Sequence, residues 1–172
     1  TGRLLCRHPD GRVEVLLDGL LFANGVAVAP DQSFVLIAQT GRGCINRVWL
    51  TGAKEGQKDM FIDDVGALPD NMCIGSDGLL WVAHVTPFED TLRKLLAAPR
   101  FVRYIVARLP EAMKPIPPMW CRVAAYDWDG NFVKGFEGDN SKYEFVTGMR
   151  EKDGVVYMGS FHGTKIARFT ES

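Results

Sequence analysis

Hydrophobic and polar positions along the chain fall into short segments. Apolar residues alternate with polar ones, or run together for about one strand's length as in Phe34–Ala38. Asp-Gly pairs punctuate these segments at Asp10-Gly11, Asp77-Gly78, Asp129-Gly130 and Asp153-Gly154. Such pairs tolerate the positive φ angles of tight turns, so each marks a hairpin. Aligning the chain on its turns exposes an internal repeat. Asp31 of ANGVAVAPDQSFVLIAQ falls over Asp77 of PDNMCIGSDGLLWVAH and over Asp153 of FVTGMREKDGVVYMGS. A second hairpin type follows each of these: RLLCRHPDGRVEVLLDG, NRVWLTGAKEGQKDMFIDD and RVAAYDWDGNFVKGFEGD resemble one another, and KIARFTES is the same unit cut short. The predicted order is two strands, then four, four and three, an all-β chain of β-propeller blades. A β-sandwich could be built from the same hairpins but does not explain the repeat.

One stretch breaks the pattern. Between His84 and Cys121, Leu92, Leu95 and Leu96, then Val102, Ile105, Val106 and Leu109, recur at helical spacing, with Pro99 dividing them. The spacing predicts a helical insertion over about 87–118, between the second and third strands of one blade. Its apolar and basic residues are open to four roles: a lid, a membrane-facing patch, a partner surface, or packing alone.

Asn24 and Asp70 stand at equal distances before Asp31 and Asp77. The repeat therefore places them alike in successive blades, in the lead-in to the innermost strand beside the channel, and by the same count puts Val146 there in the third repeat. An amide and a carboxylate on neighbouring blades offer two oxygen donors to one axis, the chemistry that hard cations such as Ca²⁺ prefer. The alternative is that both residues only cap turns, Asn24-Gly25 forming a tight corner.

At 172 residues the chain suits one domain, 1–172, large enough to bury a core. A net charge of −1 gives no broad attraction for nucleic acid, and none is expected as a partner. The four cysteines lack zinc-site spacing and read as packed thiols. Of the three histidines, His84 and His162 both follow the second strand of a blade. His84 is a candidate general base, weighed against an ordinary packed histidine. Asp63-Asp64 read as a solvated pair ending an outer strand. No phosphate loop, zincin helix or serine elbow is found. The chain opens on TGRLLCR, without a methionine or a visible signal peptide. A missing N-terminal part is one expectation, and the compartment is open, with the cytoplasm slightly favoured.

LLDGLLFANGVAVAPDQSFVLIAQTGRGCINRVWLTGAKEG and LPDNMCIGSDGLLWVAH together resemble the strictosidine synthase-like branch of the gluconolactonase and senescence-marker-protein superfamily, to which paraoxonases are related. VTGMREKDGVVYMGSFHGTKIARF resembles that branch's last blade. The resemblance implies a six-bladed propeller of which this chain is the C-terminal half. It also implies a channel cation, commonly Ca²⁺, with Asn24 and Asp70 among its ligands and Asn71 as a supporting one. Asp70 and His84 are the candidate catalytic residues. The remaining family ligands belong to earlier blades. Thr147 falls at or near the catalytic glutamate of the plant synthases, which argues against strictosidine-type condensation, and Gln39 stands where the branch often has a glutamate.

Two full and two partial blades make about half a ring, so either a preceding half completes it or two copies do, as a homodimer. The function these expectations favour is Ca²⁺-dependent hydrolysis of a lactone or related ester. The alternative is a non-catalytic binding or interaction module that kept the fold.

Overall fold

In the computed structural model, which describes residues 2–110, 113 and 118–170, the predicted strand grouping is realised. β1 (Gly2–Arg7) and β2 (Val13–Leu20) form a two-stranded antiparallel sheet. β3 (Ala23–Val28), β4 (Phe34–Gln39), β5 (Cys44–Trp49) and β6 (Lys58–Ile62) form a complete blade. The second complete blade holds β7 (Ala67–Ile74), β8 (Leu80–Pro87), β9 (Arg122–Tyr126) and β10 (Phe132–Glu137). β11 (Val146–Lys152), β12 (Val155–Ser160) and β13 (Ala167–Thr170) make the last, three-stranded sheet. The fold is a partial β-propeller, as the repeat required.

The turns form for the predicted reason. Gly11, Gly78, Gly130 and Gly154 all have φ between 76° and 88°, and Asp153 itself has φ 51°. Asp31 and Asp77 each use a carboxylate oxygen to accept the backbone N–H two residues on, at 3.0 Å.

The core lies between blades. On β8, Leu80 and Val82 pack toward the preceding blade with Leu36, Ile45 and Tyr126. Trp81 and Ala83 face the other way, against Val146, Val156 and Met158. Both faces of β8 are therefore dry, so its sequence opens on the apolar run Leu80–Ala83 rather than on an alternation. β4 is buried along its whole length for the same reason. All four cysteines are free thiols, Cys44 and Cys121 buried.

The insertion leaves from the end of β8. It contains α1 (Asp90–Ala97) and α2 (Arg100–Ala107), separated by Ala98-Pro99, where the proline ends one helix and opens the next. The predicted end of the insertion lies partly outside the described residues. Asp64 is not simply solvated, as its sequence suggested. It accepts from the Arg93 guanidinium at 2.7 and 2.9 Å, and Arg93 also donates to the Phe88 carbonyl, so α1 is tied to the rim of the preceding blade.

Candidate functional site

Strand register decides which residues share the channel position. Ala23 pairs with Gln39 and Val26 with Ile37, three residues against two. Pro69 to Met72 bulges in the same way against His84 to Val82. Val146 to Met149 does so against Ser160 to Met158. A bulge adds a residue on one strand and re-aims the side chains there. The equivalent residues are thus Asn24, Asp70 and Thr147, each the second residue of its bulge, within the innermost strand rather than in the loop before it.

The third position corrects the sequence reading, which counted back from Asp153 to Val146. Only Asp153 and Gly154 separate β11 from β12, against five residues in each of the two corresponding turns, and the turn aspartate follows Thr147 one residue sooner than Asp31 follows Asn24, so the count slips by one. Val146 is instead fully buried between blades.

Neighbouring inner strands approach closely at this level. A Cβ on Gly25 would lie 2.4 Å from the Asp70 carbonyl oxygen and 2.8 Å from the Asn71 Cα, so only glycine lets β3 sit against β7. On the other side, Asn71 donates through Nδ2 to the Thr147 carbonyl at 2.7 Å and to Asp70 Oδ1 at 3.2 Å. Asn24 donates through Nδ2 to Thr40 Oγ1 at 3.2 Å, and Thr40 Oγ1 donates to the Pro69 carbonyl at 2.7 Å. Asn24, Asp70 and Asn71 are thereby brought together across two blades, with Thr147 at the edge of the third.

Asp70 is half-buried, and burial pushes its carboxyl above the usual range. Hydrogen bonds from the Asn24 side chain and the Asn71 backbone offset this only in part. A half-buried carboxylate eased by amides alone, beside the side-chain amides of Asn24 and Asn71, is a donor set that suits a hard cation. No group of three or more acidic, histidine or cysteine side chains placed for a metal occurs among the described residues, so the fit rests on amide oxygens as well as on Asp70.

His84 lies directly opposite Pro69 in the register and is fully buried. Tyr126 Oη is 3.3 Å from its Nε2, while Nδ1 has no partner. Burial, then the Arg122 charge, push its pKa down to about 3, so the imidazole is neutral at ordinary pH. Gln39 is buried and used locally. Its Oε1 accepts the Leu21 N–H at 2.9 Å and its Nε2 donates to Asn46 Oδ1, a pairing that needs an amide's donor and acceptor together.

Two features were not anticipated, one at the mouth and one at the far end of the blades. Phe22 and Phe145 immediately precede Ala23 and Val146, and both hold left-handed backbone, with φ 58° and 56°. For bulky residues this conformation is strained. Phe145 also stacks on the His162 ring, with Phe161 beside them, at centroid distances of 5.0 and 5.6 Å. The rim is therefore aromatic. At the opposite end of the same seam, Glu151 of β11 reaches the turn after β7 and accepts from the Ser76 N–H and from Ser76 Oγ at 3.0 Å. Neither feature has a sequence signature, because both depend on which strands become neighbours.

Comparison with known proteins agrees with this architecture. Residues 1–53 match the family model for strictosidine synthase. The adipocyte plasma membrane-associated protein of Rattus norvegicus is 32% identical over 92% of this chain and 44% of its own length. Protein strictosidine synthase-like 10 of Arabidopsis thaliana is 32% identical over 93% of this chain and 44% of its own. The chain thus spans less than half the length of these curated relatives. Among solved structures, a gluconolactonase from Xanthomonas campestris superposes with TM-score 0.62 at 22% identity, over 99% of this chain and 51% of that one. A calcium-binding regucalcin from Agrobacterium tumefaciens gives TM-score 0.55 at 16% identity, over 90% and 43%. At these identities the structures speak for the fold. The resemblance to strictosidine synthase-like proteins is borne out in sequence, and that to gluconolactonases in fold.

Proposed function

We infer, from this relatedness and from the Asn24–Asp70–Asn71 cluster, that the chain carries part of the site of a divalent-cation-dependent lactone or ester hydrolase. The observation that carries the reading is Asp70, a carboxylate held half-buried against amide side chains. Asn24 and Asp70 would hold the cation, Ca²⁺ being the first choice. Asn71 orients Asp70 and ties it to the third blade. When bound, such a cation polarises a carbonyl and stabilises the oxyanion that develops on it.

The chain's own residues supply the rest. Thr40 fixes the Asn24 amide. Asp70, a carboxylate beside the cation, would be the group to take a proton from an attacking water. His84, neutral and enclosed behind Pro69, supports the strand that presents Asp70. The aromatic rim of Phe22, Phe145, Phe161 and His162 favours esters and lactones with an apolar group over sugar lactones. The completing half of the ring, whether a second copy or a preceding segment, would bring further oxygen donors to the channel.

Calcium titration with thermal melting, run beside turnover of a panel of alkyl, aryl and sugar lactones, tests this reading. A calcium-dependent rise in melting temperature that Asp70→Asn abolishes, together with turnover, supports it. Stabilisation without turnover would leave a binding module, and no response to any divalent cation would remove the metal role.

A further inference from the structure

The helical insertion presents a surface that the hydrolase reading does not use. On α2, Phe101, Tyr104 and Ile105 are 65%, 57% and 58% exposed, although large apolar side chains of an ordinary helix turn inward. With Arg108 they recur at i, i+3, i+4 and i+7, so they form one stripe along the helix. The Arg108 guanidinium lies 3.4 Å over the Tyr104 ring, extending the stripe with a cation. Among the described residues of the two helices none is buried.

Charge is concentrated in the same place. Residues 90–108 hold five basic side chains, Arg93, Lys94, Arg100, Arg103 and Arg108, against the single acidic Asp90, in a chain whose net charge is −1. Arg93 is committed to Asp64 and Phe88, but Lys94, Arg100 and Arg108 are exposed.

We propose that the α1–α2 pair is a docking surface for an anionic lipid bilayer, with Phe101, Tyr104 and Ile105 entering the headgroup region and Lys94, Arg100 and Arg108 lying against the lipid charge. The complementarity argues for lipid: an aromatic and aliphatic stripe flanked by basic residues matches the interfacial layer of such a membrane. Among the described residues no helix is long and apolar enough to cross a bilayer, so the two helices would lie on the surface. The geometry adds an orientation. β8 delivers the insertion from Pro87, which pairs with Ala67 at the start of β7, so the docking surface rises from the same end of the blade as Asp70. A docked molecule holds the channel mouth at the lipid face.

Flotation of the full chain with phosphatidylcholine vesicles, with and without phosphatidylserine, tests the proposal. Binding is expected to the phosphatidylserine vesicles and to weaken in high salt. Arg100→Gln and Arg108→Gln should each lower partition about five-fold. Phe101→Ser with Ile105→Ser should lower it by about ten-fold or more while leaving the melting temperature unchanged. If that double variant melts early, Tyr104→Ser replaces it. Failure of the unaltered chain to float with either vesicle overturns the proposal, as does equal flotation of all variants. A lipid-free dimer that the double variant disperses would also overturn it, assigning the stripe to a second copy.

Discussion

Removing the Glu151 carboxylate should open the seam between the second complete blade and the last sheet. Glu151 is 2% exposed. It accepts from the Gly154 N–H at 2.8 Å, from Ser76 Oγ at 3.0 and 3.1 Å, from the Ser76 N–H, and more weakly from the Asp77 N–H at 3.4 Å. Truncation to alanine leaves these donors without their acceptor, but Ser76 and Asp77 lie in an exposed turn where water can replace part of it. The loss is therefore that of charge-assisted hydrogen bonds at a part-buried seam, about 2–4 kcal/mol in all. For a chain of this size that lowers the melting temperature by about 10 °C. Glu151→Gln keeps one acceptor but turns an NH₂ toward the donors, and should cost about 1–2 kcal/mol. Thermal and urea denaturation followed by circular dichroism give both numbers. An alanine variant that melts within about 2 °C of the unaltered chain would refute the reasoning.

The acid limb provides a second readout of the same contact. Burial pushes the Glu151 carboxyl up, but the hydrogen bonds from Gly154, Ser76 and Asp77 outweigh it and hold the pKa below the usual range. A carboxyl depressed in the folded state contributes stability that is complete above its unfolded pKa and is lost as pH falls through the folded value. Glu151→Gln should therefore flatten the loss of stability in acid.

Three further outcomes are expected. Gly25→Ala forces a Cβ to within 2.4 Å of the Asp70 carbonyl oxygen, so it should cost about 1–3 kcal/mol and weaken any calcium response, read by the same melts. The His84 imidazole, with its pKa near 3, should show no titration in NMR spectra across about pH 5 to 8; a midpoint near the ordinary histidine value would contradict its burial. Among the described residues β1 and β13 each leave one edge unpaired, and sedimentation equilibrium should find the mass of two chains if a second copy covers them. A monodisperse monomer would rule the second copy out.

Most of the architecture was legible in the sequence because propeller blades repeat, and the repeat is punctuated by turns with strict backbone needs. Asp77-Gly78 and Asp153-Gly154 mark hairpins whatever surrounds them. The equivalence of Asn24 and Asp70 was legible too, since the intervals to Asp31 and Asp77 match. The third position was misread for the same reason that the first two were found. Counting residues is reliable only while turns keep one form, and the two-residue turn after β11 brings its aspartate one position nearer the bulge.

By itself, then, the sequence determined the strands, their grouping into blades, the helical insertion and the paired oxygen donors, because each follows from local periodicity or turn chemistry. Tertiary structure alone decided that Thr147 and not Val146 joins Asn24 and Asp70, that Asn71 bridges to a strand 76 residues away, and that Glu151 fastens a turn 75 residues away. It also decided that His84 is sealed from solvent. Those outcomes depend on register and on which blades abut. Hydrogen-bond partners and burial belong to neighbours in space, and no local pattern in the chain encodes them.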